Sequence, residues 1–137
     1  FQAEDVLEHI PYEALPAVFA EIHRILKPGA RFRLSVPDYR CDVYASRCQR
    51  DAQGRIVFDP DGGGWYRDGK PGGGAHLWFP VFESVKALCD ASPFATAEFY
   101  HYYDEEGRSV TRPIDYTFGY IDRTPDRALS LVVDLIK

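Results

Sequence analysis

The sequence predicts an α/β fold, because a helical pattern is followed at once by the pattern of a strand. In the helical segment, apolar residues recur at the i, i+3, i+4 and i+7 spacing of one buried face. They are Leu15, Val18, Phe19, Ile22, Ile25 and Leu26. Lys27-Pro28-Gly29 ends this helix, and we expect Gly29 to adopt a positive φ there. In the strand that follows, Phe32, Leu34 and Val36 alternate with polar residues.

The remaining elements are predicted from the same two patterns and from the Gly, Pro and Asp residues between them. We predict helices over Arg40–Gln49 and Pro80–Ala91, and strands over Ala95–Tyr103 and Ala128–Ile136. A polar connection over residues 108–127 joins the two strands. Residues 50–75 form a long excursion rich in Asp, Gly and Pro, within which we interpret Arg55–Phe58 and Trp65-Tyr66 as one hairpin.

The amino-acid composition limits which functions the protein can have. The 137 residues suit a single domain, and their net charge is −5. Lys and Arg are scattered, so a nucleic-acid surface is not expected. No run of about 18 apolar residues is present, so no membrane span is expected. The cysteines, Cys41, Cys48 and Cys89, lack the C-x2-C spacing of a zinc site, and we predict no metal site. Unpaired cysteines suit a reduced, cytoplasmic protein.

Three segments of the opening, LEHI, EIHRILKPG and RFRLSVPD, resemble the S-adenosylmethionine-dependent methyltransferases of the Rossmann-like class, type 11-like. Later segments resemble one uncharacterised branch of predicted methyltransferases, in the same order along the chain. These are Pro71–Gly74, His76–Phe79, Phe82–Leu88, Tyr103–Gly107 and Ser130–Lys137. The sequence departs from the family pattern at Asp5, where His is usual, and at Ala30, where a second Gly is usual.

The resemblance implies a partial Rossmann-like fold, with the back half of the sheet and its flanking helices. The family's Gly-rich strand-turn-helix and its ribose-binding acid have no counterpart in residues 1–137. The resemblance also implies S-adenosylmethionine as the cofactor, a small molecule or a glycan as the methyl acceptor, and the excursion as a lid beside the acceptor. Because the Gly-rich turn is missing, we predict weak or absent cofactor binding by this chain alone. We also predict a homo-oligomer, since a bare sheet edge recruits another chain.

Asp38 and His76 are the candidate catalytic residues. Asp38 follows the carboxyl end of a strand, where open α/β sheets place ligands, although Asp also commonly forms turns. His76 titrates in the range of a general base, although a histidine at a helix start is often structural. The resemblance places three residues beside the adenosyl group, namely Glu4, Asp5 and Leu7. The residues assigned to the acceptor are Tyr39, Arg40 and Trp78.

Two other functions stay open beside a methyltransferase. One is a non-catalytic interaction or structural domain, which a start codon close to Phe1 would favour. The other is a hydrolase built on Asp38 and His76, which is disfavoured because no Ser or Cys nucleophile elbow is present. Glu8-His9 resembles a catalytic pair, but it lies at a predicted helix start, where acidic residues are common. We therefore expect a supporting role for this pair.

Overall fold

A computed structural model describes the whole chain, Phe1–Lys137, as a mixed α/β fold built on a five-stranded sheet. The helices are α1 (Leu15–Ile25), α2 (Asp42–Arg47) and α3 (Phe82–Asp90), and two 3₁₀ turns cover Leu7–His9 and Tyr12–Ala14. The strands are β1 (Gln2–Glu4), β2 (Arg31–Pro37), β3 (Gln49–Arg50), β4 (Ile56–Phe58), β5 (Trp65–Arg67), β6 (Lys70–Gly72), β7 (Thr96–Tyr103), β8 (Ser109–Thr111), β9 (Arg123–Thr124), β10 (Arg127–Ala128) and β11 (Ser130–Ile136). None of the helices is long and apolar enough to cross a membrane.

The sheet has the order β1-β2-β11-β7-β8 and mixes parallel with antiparallel pairs. β1 runs parallel to β2, so both strands end at the same edge of the sheet. β11 lies antiparallel between β2 and β7, with Val133 opposite Leu34 at the centre. β1 and β8 are the outer strands. The chain therefore brings residues after Glu4 and after Pro37 together, which positions the site described below.

The apolar face of the sheet packs against α1 and α3. Helix α1 buries Leu15, Phe19 and Ile22, whereas Ile25 is 53% exposed, contrary to the predicted face. Helix α1 ends before Gly29, which adopts the predicted positive φ of +74°. The sheet and α3 complete this core with Phe32, Leu34, Val36, Val85, Leu88, Leu131, Val133 and Leu135. The prediction of one helix and one strand at the opening is thus confirmed.

The opposite face of the sheet is polar and buried. It carries the Arg33–Asp134 ion pair, in which each side chain is 1% exposed. The connection that the sequence predicted as simply polar covers this pair, because Arg33 donates to the Asp115 carbonyl oxygen over 2.9 Å. The same connection buries Ile121 and contributes β8 and β9.

The prediction of one hairpin within the excursion is wrong. β4 pairs with β3, and β5 pairs with β6, so the two segments belong to separate hairpins. The second hairpin turns at Asp68-Gly69, where both residues have positive φ. A two-residue Asp-Gly turn matches the twist of antiparallel strands, and this explains why β5 pairs with the segment directly after it.

Candidate functional site

A polar cleft of about 430 Å³ opens at the edge of the sheet where β1 and β2 end. Its ionisable walls include Asp5, Glu8, His9, Asp61, His76 and Asp122. Gly62, Gly63 and Gly74 add walls from the excursion, so the excursion does border the cleft. The carboxyl ends of parallel strands are where α/β sheets bind ligands, and the cleft occupies that position.

The 3₁₀ turn after β1 and the segment after β6 are joined by hydrogen bonds. The bonds run from Leu77 N–H to Glu8 O (2.8 Å), from Trp78 Nε1–H to Leu7 O (2.9 Å) and from His9 Nδ1–H to Ala75 O (3.3 Å). They fix Glu8 and His9 against His76, although these residues lie far apart in the sequence. The cleft floor is thus a junction of two segments, and neither of them is a regular helix or strand.

Glu8, His9 and His76 converge at this junction. Their candidate ligand atoms all lie within 4.8 Å of one another, and the His9 and His76 rings meet edge to face at 4.7 Å. His76 Nε2 lies 3.8 Å from Glu8 Oε1, which is too long for a hydrogen bond. Glu8 is fully buried, and neither of its carboxylate oxygens has a hydrogen-bond partner.

A chain of buried polar groups holds the other side of the His76 ring. The Tyr39 hydroxyl donates to Asp59 Oδ2 over 2.6 Å and also contacts His76 Nδ1. Because the single hydroxyl proton is directed to Asp59, His76 Nδ1 donates to Tyr39 Oη. Arg47 pairs with Asp59 over 2.7 Å. Gly62 packs against the ring, since a Cβ there would lie 2.8 Å from His76 Nδ1. His76 therefore presents an unprotonated Nε2 to Glu8.

Burial shifts the pKa values of this cluster. It raises the pKa of Glu8 to about 8, because the carboxyl group loses its hydration. Burial, and to a smaller extent the neighbouring His9, lowers the pKa of His76 to about 4. The pKa of Asp59 is lowered even though burial opposes this, because Arg47 and Tyr39 donate to its carboxylate. At neutral pH His76 is a neutral imidazole.

The end of β1 adds two further carboxyl groups. Asp5 has a φ of +50°, a conformation that non-glycine residues rarely adopt and that is enriched at functional sites. Burial raises the pKa of Asp5, and the nearby Asp122 carboxylate raises it to a smaller extent. Burial, together with the smaller effect of the neighbouring Asp5 carboxylate, raises the pKa of Glu4 to about 7. The cleft therefore gathers more carboxyl groups than the single Arg47 can pair with.

Two of the residues predicted for the site, Asp5 and His76, line the cleft. Glu4 lies just behind Asp5, partly buried, and Tyr39 lies behind the His76 ring. Arg40 lies elsewhere, because its guanidinium pairs with Glu83 over 2.6 Å. The structure thus brings Asp5 and His76 into one cleft, with Glu4 and Tyr39 next to them, and places Arg40 elsewhere.

The other predicted residues belong to the interior. Asp38 is fully buried, and its carboxylate accepts N–H groups of Arg40 (3.0 Å) and Tyr103 (2.8 Å). Burial raises the pKa of Asp38 to about 6 despite these bonds. Leu7 and Trp78 pack in the apolar core and do not line the cleft. Asp38 therefore ties the end of β2 to β7 through backbone hydrogen bonds.

The sequence interpretation missed the central position of Glu8 and His9. The signal available was the adjacent Glu8-His9 pair a few residues after the first strand, together with the distant His76. No protein-family model matches the chain, and a search of curated proteins finds no match either.

Proposed function

We propose that this chain is the carboxyl-terminal part of an S-adenosylmethionine-dependent methyltransferase whose methyl acceptor binds in the cleft. The observation that carries the proposal is the position of the cleft, at the carboxyl ends of the parallel pair β1 and β2. The pairing itself supports the family resemblance, which expects the strand ending at Glu4 to lie beside Arg31–Val36.

The cofactor would pass beside the end of β1. Glu4 and Asp5 occupy the segment that the resemblance places beside the adenosyl group, and the positive φ of Asp5 turns the chain into the cleft there. These residues supply one wall of a cofactor site. The Gly-rich turn that completes such a site has no counterpart in this chain, so we expect this chain alone to bind the cofactor weakly or not at all.

The chemistry of the cleft suits a polar acceptor. Methyl transfer needs in-line positioning and, for a hydroxyl or amine acceptor, removal of a proton. An acceptor in the cleft would meet Glu8 and His76. His76, with a pKa of about 4, is a weak base at neutral pH, whereas Glu8, with a pKa of about 8, is closer to the working range. Acidic walls favour hydroxyl-bearing or cationic acceptors over anionic ones.

Isothermal titration with S-adenosylhomocysteine tests the proposal. The titration compares this chain with the product of the reading frame extended upstream of Phe1. We expect micromolar binding by the extended product and no measurable binding by this chain. Asp5→Asn should weaken binding by the extended product, because it removes a carboxylate at the cofactor wall.

Asp126→Asn is the matched control for this titration. Asp126 also has a positive φ, of +63°, but it lies outside the cleft, so its replacement should leave the affinity unchanged. An upstream frame without a Gly-rich strand-turn-helix, or an extended product that does not bind, would contradict the proposal and favour a non-catalytic domain.

A further inference from the structure

We propose that Glu8, His9 and His76 form a binding site for a divalent transition-metal ion of the Zn²⁺ type. The three side chains converge within 4.8 Å, and Glu8 is a fully buried carboxylate without a partner. Two imidazoles and one carboxylate are a donor set that suits zinc and similar ions rather than Mg²⁺ or Ca²⁺. The proposal concerns metal binding alone and does not depend on methyl transfer.

The hydrogen bonds around the two histidines fix the proton positions that a metal site needs. His9 Nδ1 faces the carbonyl oxygen of Ala75, an acceptor, so this nitrogen carries the proton. His76 Nδ1 donates to Tyr39 Oη, whose own proton is directed to Asp59. Both rings therefore keep an unprotonated Nε2. Metal-binding histidines commonly donate their second ring nitrogen to a carbonyl or carboxylate in this way.

The three side chains approach one another without a hydrogen bond between any two of them. The 3.8 Å between His76 Nε2 and Glu8 Oε1 exceeds hydrogen-bond distance, so a shared proton does not explain their approach. Two ligands on a tetrahedral zinc ion lie about 3.4 Å apart, given bond lengths of roughly 2.1 Å. Small movements of the side chains would thus bring all three atoms onto one ion. A cation would also satisfy the two unpaired oxygens of Glu8.

The rest of the cleft is compatible with a bound cation. Asp5, Asp61 and Asp122 add carboxyl groups to the walls, and the only cationic wall residue, Arg47, is paired with Asp59 and Asp61. An ion held by three protein ligands keeps at least one coordination position free. Here that position would face the cleft, where a water or a hydroxyl-bearing ligand has room. In the proposed methyltransferase, a metal there would lower the pKa of a bound hydroxyl acceptor, and Glu8 would then serve as a ligand and not as the base.

Metal binding is tested on the chelator-treated, untagged chain by isothermal titration with Zn²⁺ and by the absorption spectrum with Co²⁺. We expect one Zn²⁺ per chain, weaker binding of Mg²⁺, and Co²⁺ d–d bands without a thiolate charge-transfer band, because no cysteine is a ligand. Absence of a one-to-one Zn²⁺ complex would overturn the proposal. So would thiolate bands, because they would assign the metal to the cysteines.

Variants separate the proposed ligands from other residues. Glu8→Gln, His9→Asn and His76→Asn should each abolish one-to-one binding, whereas His23→Asn, a histidine on α1 outside the cleft, should leave it intact. Tyr39→Phe removes the acceptor of His76 Nδ1–H and should weaken binding by roughly 10–100-fold, as is typical for such supporting bonds.

Circular dichroism in the presence of chelator shows which variants remain folded. Glu8→Gln is expected to fold, because the side chain is similar in size and the Glu8 carboxyl oxygens have no hydrogen-bond partner to lose. Unchanged Zn²⁺ affinity in folded Glu8→Gln would overturn the proposal. Loss of Zn²⁺ binding together with retained S-adenosylhomocysteine binding by the extended product would leave the proposed methyltransferase function standing, so the two results are distinguishable.

Discussion

Breaking the buried ion pair between Arg33 and Asp134 should be one of the most destabilising single changes in this fold. Both side chains are 1% exposed, and the guanidinium donates to the carboxylate through two bonds of 2.7 and 2.9 Å. Asp134→Asn leaves the Arg33 charge buried without its counterion, which typically costs about 3–5 kcal/mol. For a chain of this size that corresponds to a fall in Tm of roughly 12–20 °C.

A double variant and a surface pair provide the comparison. Arg33→Met combined with Asp134→Leu removes both charges, and such replacements are often neutral or stabilising. The exposed pair Arg24–Glu21 has the same 2.7 Å separation, but solvent screens it, so Glu21→Gln should cost far less. Urea unfolding of all three variants measures these free energies. Equal losses of unfolding free energy for Asp134→Asn and Glu21→Gln would show that burial does not determine the cost of breaking an ion pair here.

Three further predictions concern the interior, the excursion and the sheet edge. Asp38→Ala should cost about 1–3 kcal/mol, chiefly for the buried Tyr103 N–H that it leaves unpaired. Asp51→Ala removes the acceptor of a surface turn and should cost less in urea unfolding. Equal costs would contradict the interior role. Limited proteolysis should cut first within residues 50–75, and first cleavage within α3 would contradict this. Light scattering at about 100 micromolar should show a dimer or larger species paired through β1, and a monomer would mean that this edge does not recruit a partner.

Local sequence patterns were sufficient to predict α1 and β2. One apolar face and one alternating run encode these elements within a dozen residues each, and Gly29 marks the turn between them. Ile25 fits the same spacing but is exposed, whereas Ile22 and Leu26 on either side of it pack against the core. Periodicity therefore identifies the element but not how far its buried face extends.

The pairing of short strands was not predictable from composition alone. Trp65–Arg67 pairs with Lys70–Gly72 because Asp68-Gly69 forms a tight turn between them. That two-residue signal is present in the sequence, and the interpretation of one longer hairpin overlooked it. Turn chemistry, more than hydrophobic pattern, decided the pairing here.

The candidate site depends on contacts between distant segments. Glu8 and His9 reach His76 because Leu77 and Trp78 bond to the backbone of the turn after β1. No local pattern encodes such bonds, so the sequence identified His76 and Asp5 as separate candidates and gave Glu8-His9 a supporting role. Asp38 was predicted from its position at a strand end, and the structure shows that its carboxylate is occupied by backbone N–H groups.

We propose that this protein binds its ligands in the cleft at the ends of β1 and β2. Backbone amide chemical shifts of the extended product, followed during titration with S-adenosylhomocysteine, test this most directly. We expect shifts at Asp5, Glu8 and Gly62 and unchanged signals at Gly54 and Gly107, which lie outside the cleft. Saturable shifts confined to residues outside the cleft, with Asp5 and Glu8 unaffected, would contradict it.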